Sequence, residues 1–256
     1  MHVNLEVSQR VAVVTLDRPE VKNALNGEMV DELRDMLSSV AENAAVRGLV
    51  LTGNGAFCAG VDLRHLVSTV ASTDSDRRGF IEGGAQALIR ELIELPIPTT
   101  AAVDGPAVGL GFDLALACDR LVVGPSGWCM QGWGRMGLIP GTGGDLMLRL
   151  RNPHILWRLV ADQPRLGGHE VELWGIGETA GTDPALKVAV EGMERLTGLP
   201  RKALEAYVKF QRAELRCRLD EHLRACAQVQ AELLGDRDLA KRVEGVIGGR
   251  DGEGGQ

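Results

Sequence analysis

Two glycine-rich turns constrain the fold more than any other feature of this 256-residue chain. The first, NGAFCAGVDL at 54–63, follows a predicted strand at 48–53, and the second, VDGPAVGLGFDL at 103–114, follows a predicted strand at 99–103. Both turns lead into a predicted helix. Glycine lets a ligand approach the backbone without meeting a Cβ atom, and the unpaired N–H groups that begin a helix favour negative charge. Two such turns facing each other would direct two N–H donors at one oxygen, which is an oxyanion hole.

Strands and helices alternate over the first 150 residues. Valine-rich runs at 2–7 and 11–17 predict a hairpin, and the asparagine before residue 27 is a candidate N-cap for a helix over 27–44. Leu121–Val123 is a further predicted strand, and the pattern becomes almost wholly helical from about residue 142. This order favours an α/β fold with a mixed or parallel sheet.

The pattern also predicts where the chain divides. Residues 1–195 are predicted to form the core, 196–248 a C-terminal helical region, and 249–256 a disordered tail. Within the core, the small polar residues at 68–79 predict a mobile loop. An amphipathic helical pattern runs through 203–234.

Charge and cysteine usage exclude several classes of function. A net charge of −7 gives no global field that would attract nucleic acid or anionic lipid. No run approaches the roughly 20 apolar residues of a membrane span, and the N-terminus lacks the pattern of a signal peptide. The five cysteines form no C-x-x-C pair, and the five histidines show no metal-ligand spacing. We therefore expect a cytoplasmic protein with reduced thiols and no metal, nucleic-acid partner or membrane partner.

Five segments in register resemble the crotonase (enoyl-CoA hydratase/isomerase) superfamily. They are RPEVKNALN at 18–26, FCAGVDL at 57–63, PTTAAVDGPAVGLGFDLALACD at 98–119, GLIPGTGG at 137–144 and GGHEVELWGI at 167–176. The resemblance covers about residues 5 to 245, nearly the whole chain. It implies a crotonase-like ββα superhelix core that binds acyl-CoA, with a helical C-terminal trimerisation region. It also implies a homotrimer or a dimer of trimers.

The resemblance assigns the oxyanion hole to two amides. Members of this family bind acyl-CoA thioesters and stabilise an enolate at the thioester carbonyl with two backbone N–H groups. These groups fall here on Val61 and Leu110, with Gly60, Gly109 and Gly111 beside them in the substrate pocket. Because the donors belong to the main chain, a leucine at the middle of the second glycine turn is acceptable if its side chain points away.

The resemblance also assigns the contacts with coenzyme A. Ala59, Asp62 and Leu63 match positions at the adenine end, and Val21, Ala24 and Leu25 match the segment that lines the pantetheine. Arg18 and Lys22 are candidate phosphate partners, although exposed basic residues usually form salt bridges. No cofactor is implied beyond the coenzyme A of the substrate.

The catalytic positions depart from the family pattern. A hydratase uses two glutamates to activate water and deliver a proton, but the matching positions hold Asp113 and Trp133. An indole cannot exchange a proton at neutral pH, so two-glutamate hydration is not expected. A carboxylate at Asp113 in an apolar pocket would have a raised pKa suited to a general acid or base. The alternatives are a structural Asp113 paired with an arginine and a Trp133 that is a plain core aromatic.

Neighbouring polar residues give no clear substitute for the missing glutamate. Gln131 and Arg135 are poor bases near pH 7, and Asp145 suits the start of a helix. We expect Cys58 to be a small buried residue and His65 to lie at the rim of the pocket.

Three functions fit these residues. The first is an acyl-CoA enzyme of hydratase/isomerase type with one carboxylate, for which double-bond isomerisation is easier to defend than hydration. The second is a catalytically reduced protein that binds acyl-CoA without turnover. The third is another crotonase-type activity, a decarboxylase or hydrolase, which would use the same oxyanion hole.

Overall fold

The computed structural model describes residues 1–69 and 72–250, and the side chains of that part up to residue 245. A six-stranded sheet has the order β1-β2-β3-β4-β6-β8, and a separate parallel pair joins β5 to β7. The strands are β1 Val3–Ser8, β2 Val11–Leu16, β3 Gly48–Gly53, β4 Thr99–Val103, β5 Pro106–Val108, β6 Arg120–Val123, β7 Trp128–Met130 and β8 Glu178–Thr179. Only the β1–β2 pair of the large sheet is antiparallel, so the mixed α/β sheet predicted from the sequence is confirmed.

Helices fill most of the remaining described chain. They are α1 Gly27–Glu42, α2 Leu63–Ser68, α3 Asp74–Phe80, α4 Ala87–Glu94, α5 Leu110–Ala117, α6 Gly144–Arg151, α7 Leu156–Asp162, α8 Gly168–Leu173, α9 Ala185–Thr197, α10 Arg201–Gln211, α11 Ala213–Leu234 and α12 Leu239–Arg250. A π-helical turn at Ile81–Gln86 joins α3 to α4. None of these helices has the length and apolar character needed to cross a membrane, as far as the described residues go.

The parallel strands are covered on both faces. In β3, Leu49 and Leu51 pack into the main core, whereas Val50 faces a second core against α9. This alternation follows from the period of two along a strand. Because both faces are buried, the strand reads in the sequence as a continuous apolar run.

The predicted start of α1 is confirmed in detail. Asn26 is the N-cap, and its side chain accepts a hydrogen bond of 2.9 Å from the Met29 amide. The buried positions of the helix follow the predicted spacing and are Met29, Val30, Leu33, Leu37 and Val40. This helix packs against the first strand and against α4.

The loop predicted at 68–79 is wrong over most of its described part. Residues 70 and 71 lie outside the described residues, but α3 begins at Asp74. Thr73 and Asp76 form a reciprocal capping box there, a helix-start signal that the polar composition obscured. The structure therefore has a helix in this segment, and its C-terminal end lines the cavity beside the two glycine turns.

The C-terminal helical pattern also needs correction, because 203–234 is divided between α10 and α11. The chain turns at Arg212, whose buried guanidinium donates hydrogen bonds to the carbonyl oxygens of Ile93 and Leu95 and forms an ion pair with Asp119. The predicted boundary after residue 195 falls inside α9. The predicted tail overlaps the end of α12, and its part beyond 250 lies outside the described residues.

Candidate active site

The two glycine turns pack directly against each other. The Cys58 amide donates to the Pro106 carbonyl at 2.9 Å, and the Val108 amide donates to the Cys58 carbonyl at 2.9 Å. A Cβ atom at Gly111 would lie 2.1 Å from the Cys58 carbonyl oxygen, and one at Gly60 would lie 2.7 Å from the Val108 carbonyl oxygen. Glycine is therefore required at both positions for the turns to approach this closely.

The backbone amides of Val61 and Leu110 lie at this junction, one on each glycine turn. Leu25 donates to the Gly60 carbonyl and accepts from the Asp62 amide, so the Val61 amide between them points away from this bridge. Leu110 is the first residue of α5, where an N–H group has no partner within the helix. Within the described chain, neither the Val61 nor the Leu110 amide donates a hydrogen bond. A Cβ atom at Gly60 would lie 3.6 Å from the Leu110 nitrogen, which shows how near the two turns come.

A cavity of about 330 Å³ opens at this junction, within the size range of small-ligand sites. Val61, Leu110, Leu25 and Trp133 all line it. Its other apolar side chains come from α1, α2, α3, the π-helical turn and α11, and they are Val30, Leu66, Phe80, Ile81, Ala85 and Leu234. No local sequence pattern indicates Phe80, Ile81 and Leu234 as cavity residues, because elements far apart in the chain bring them together.

Asp113 accepts three hydrogen bonds in a fully buried position. Thr142 Oγ1 and Trp133 Nε1 donate to its Oδ2 at 2.6 Å and 3.2 Å, and Gln131 Nε2 donates to its Oδ1 at 3.3 Å. Burial raises the pKa of Asp113 to about 6. The three hydrogen bonds oppose this rise, and the negative charge of the nearby Asp145 adds to it. Gln131 Oε1 is buried without a hydrogen-bond partner among the described residues. The environment therefore favours a carboxyl group that holds a proton more readily than usual.

The structure places Asp113 behind the cavity wall rather than in it, with no exposed surface. Trp133 and Thr142 line the cavity and separate it from the carboxylate, to which both donate. A Cβ atom at Gly144 would lie 1.9 Å from Asp113 Oδ1, so the start of α6 closes the far side. Asp113 is thus absent from the cavity lining, and the Trp133 indole that donates to it stands on the cavity side. Thr142 was not singled out from the sequence.

Gly109 supports the indole of Trp133. Its φ of +53° lies in the region that favours glycine, and a Cβ atom there would lie 3.6 Å from the indole Cε2. Trp133 is 5% exposed, so it is both a cavity-lining residue and part of the core. The structure thus places the predicted pocket residues Trp133, Gly60, Gly109 and Gly111 around the two amides.

The segment predicted to line pantetheine runs along one side of this junction. Leu25 is buried in the cavity wall, Ala24 is nearly buried, and Val21 is 36% exposed. Lys22 is exposed, and its carbonyl accepts from the Ala59 amide at 2.9 Å. The predicted contacts at Val21, Lys22 and Ala24 therefore lie on the same edge as the first glycine turn.

Asp62 and Arg18 bind each other, at 3.1 Å between carboxylate and guanidinium. Arg18 also donates to the Ala24 carbonyl, and Asp62 caps α2 by accepting from the Arg64 amide. Leu63, the next residue, packs partly buried against the main core. Arg18 therefore forms an internal salt bridge, which was the alternative to a contact with a phosphate group. His65, predicted at the rim of the pocket, lines the cavity.

The chain matches the family model described as enoyl-CoA hydratase/isomerase over residues 6–248. A probable enoyl-CoA hydratase of Rhodobacter capsulatus is 41% identical over 147 residues, covering 57% of this chain and 55% of that protein. The 1,2-epoxyphenylacetyl-CoA isomerase of Escherichia coli is 36% identical over 143 residues, covering 56% and 55%. The matched part thus spans about half the length of these curated relatives.

Solved structures extend the similarity to the whole chain. An enoyl-CoA hydratase/isomerase from Mycobacterium paratuberculosis superposes with a TM-score of 0.87 at 22% identity, over 95% of this chain and 98% of that one. A putative enoyl-CoA hydratase from Streptomyces coelicolor has a TM-score of 0.77 at 30% identity, over 97% and 92%. The fold predicted from the five sequence segments is confirmed.

Proposed function

Because the chain belongs to the enoyl-CoA hydratase/isomerase family of the crotonase superfamily, we propose that it binds an acyl-CoA thioester at the junction of the two glycine turns. The Val61 and Leu110 amides would hold the thioester oxygen as an enolate develops there. The observation that carries this proposal is the pair of unused amides on two turns in contact, both beside an apolar cavity. Donors fixed before the reaction stabilise developing charge without reorganisation.

The single carboxylate favours double-bond isomerisation over hydration. Hydration needs one group to activate water and another to deliver a proton, whereas isomerisation moves one proton between two carbons of the same substrate. Trp133 occupies the position where the family pattern has its second glutamate, and its indole donates to Asp113 instead. We therefore assign Asp113 as the one carboxylate that takes part in the proton transfer.

We propose that the Thr142 hydroxyl connects Asp113 to the substrate. The hydroxyl group belongs to a cavity-lining residue and donates to Asp113 at 2.6 Å. As the substrate Cα–H bond breaks, Thr142 Oγ1 takes that proton and passes its own to Asp113, while the electron pair moves onto the thioester oxygen. Return of the proton to Cγ restores Thr142 and Asp113 and moves the double bond from the β,γ to the α,β position.

Replacing Thr142 tests this connection. Thr142→Val keeps the side-chain shape but removes the hydroxyl, so we expect kcat for a β,γ-unsaturated acyl-CoA to fall by about 10² or more. Thr142→Ser keeps the hydroxyl and should retain most of the activity. Equal kcat values in the valine and serine variants would contradict the relay, provided that both unfold at similar temperatures.

An acyl-CoA-binding protein without turnover is the second candidate. It is favoured by one observation, the complete burial of Asp113 behind Trp133 and Thr142. Calorimetry with a saturated acyl-CoA, together with assays for isomerisation, hydration, decarboxylation and thioester hydrolysis, separates the candidates. Tight binding without turnover favours the binding protein, turnover in one of the last two assays identifies another crotonase-type activity, and isomerisation without hydration supports the main proposal.

The proposed assembly is a homotrimer or a dimer of trimers. The aromatic side chains of Trp157, Tyr207 and Phe210 are exposed on the single chain. Aromatic side chains are enriched at protein–protein interfaces, so these three are candidates for contacts between subunits. Sedimentation equilibrium should give a mass of three or six chains, and a monomer at micromolar concentration would contradict this assignment.

A further inference from the structure

Three side chains of different chemistry meet between α6 and α11. His222 Nε2 lies 2.7 Å from Asp145 Oδ1 and 3.4 Å from Cys226 Sγ. The three ligand atoms all lie within 4.8 Å of one another, and no other such cluster of potential metal ligands occurs in the described chain. None of the three residues lines the cavity, so a ligand bound to them would be separate from the acyl-CoA of the proposed function.

We propose that Asp145, His222 and Cys226 form a zinc-binding site. Thiolate, imidazole and carboxylate are the ligands that Zn²⁺ takes in proteins, at about 2.3, 2.0 and 2.0–2.2 Å. Three protein ligands leave the fourth tetrahedral position for water. A histidine or a carboxylate alone would not select zinc, but a thiolate shifts the preference away from Mg²⁺ and Ca²⁺.

The helices already hold two of the ligands on one face. His222 and Cys226 are four residues apart in α11, so their side chains project from neighbouring turns of the same side. Asp145 comes from the first turn of α6, and its second oxygen is held by Arg149 at 3.2 Å. This arrangement leaves Oδ1 directed at the histidine and available to a metal.

The two ligand-atom separations that involve His222 Nε2 lie near those of a zinc site. Tetrahedral zinc with these bond lengths separates its ligand atoms by about 3.3–3.6 Å. The Nε2–Sγ distance of 3.4 Å already fits, and the Nε2–Oδ1 distance of 2.7 Å must open by about 0.6 Å. An ion pair between Asp145 and His222 accounts for the shorter contact, and the four-residue spacing in α11 brings the Cys226 thiol to the same nitrogen.

The cluster is also reachable from solvent. Asp145 and His222 are 18% and 21% exposed, whereas Cys226 beneath them is buried. A metal would therefore enter between the histidine and the aspartate and reach the thiol last. Spacing along the chain predicted no metal site, because the third ligand, Asp145, comes from a helix distant in the sequence.

Zinc titration of the chelator-treated protein tests the proposal. We expect one Zn²⁺ per chain by calorimetry, and we expect Cys226→Ser and His222→Ala each to raise the Kd by at least about 100-fold, since loss of even an outer-shell partner costs 10–100-fold. Cys217→Ser is the matched control, because it makes the same change at an exposed cysteine of α11. This control should bind zinc like the wild type.

Cobalt substitution identifies the thiolate. Co²⁺ bound at the site should give a near-ultraviolet thiolate charge-transfer band that persists in Cys217→Ser and disappears in Cys226→Ser. Zinc should also raise the Tm of the wild type but not that of Asp145→Asn or His222→Ala, and Tm without metal reports whether each variant folds. A wild type without saturable zinc binding, or a Cys226→Ser variant that binds zinc as tightly, would overturn the proposal.

Discussion

Gly60→Ala is expected to lower kcat/KM for the proposed acyl-CoA substrate by about 10² to 10³, the cost of losing one donor from the proposed oxyanion hole. The added Cβ would lie 2.7 Å from the Val108 carbonyl oxygen, closer than non-bonded atoms approach. Neither partner is a flexible side chain, so the two turns must separate. The Val61 and Leu110 amides would then no longer converge on one oxygen.

The matched control is Gly55→Ala, on the same turn. Gly55 has a φ of +72° and Gly60 a φ of +99°, so alanine is strained at both positions, at a cost of about 1–3 kcal/mol. No heavy atom lies within 4 Å of a Cβ built on Gly55. We therefore expect a loss of stability in both variants but a large loss of activity only in Gly60→Ala. Equal activities in the two variants would refute the assignment of the oxyanion hole.

Local sequence patterns were sufficient to predict the strands, the helix start and the turns that carry the candidate site. Alternating valines predicted the first hairpin, the asparagine at position 26 predicted the start of α1, and the glycines predicted where strands turn into helices. Each of these features depends on residues close together in the chain. The glycines at 60 and 111 are consistent with the junction of the two turns, because a Cβ atom at either position would collide with the backbone of the other turn.

The cavity wall could not be predicted in the same way. Phe80 and Gln230 reach the cavity from α3 and α11, and no local pattern indicates that these helices meet there. The position of Asp113 behind Trp133 depends on which rotamer the indole adopts and on a threonine from another loop. Sequence patterns report which face a residue occupies, whereas access to a ligand depends on what packs over that face.

The Asp113→Asn variant is expected to lose turnover while keeping its fold and its affinity for acyl-CoA. General acid–base catalysis contributes about 10² to 10⁴, so kcat should fall by that factor and the Kd for a saturated acyl-CoA should stay unchanged. The asparagine oxygen can accept from Thr142 and Trp133, as Oδ2 does now. Its amide would face Gln131, whose Oε1 has no partner in the described residues and could accept after the glutamine side chain rotates.

The pH dependence gives a second and independent measurement on Asp113→Asn. Burial raises the pKa of Asp113 from 3.8 to about 6, so below pH 3.8 the folded and unfolded states are both protonated at this residue and its stabilising effect is fully present. Between pH 3.8 and 6 the folded state keeps a proton that the unfolded state releases, and the free energy of unfolding falls as pH rises. In total the free energy of unfolding falls by about 3 kcal/mol, and this loss is complete above about pH 6.

Asp113→Asn should remove this dependence, so its stability relative to the wild type should increase from about pH 4 to about pH 7 in denaturant titrations. Over the same range wild-type kcat should rise through about pH 6 and level off, because the proposed mechanism uses the ionised carboxylate as the base. A variant that keeps full turnover would exclude Asp113 from the reaction. A variant that loses turnover but also loses stability at neutral pH would show instead that the carboxylate serves to hold Trp133 and Thr142 in place.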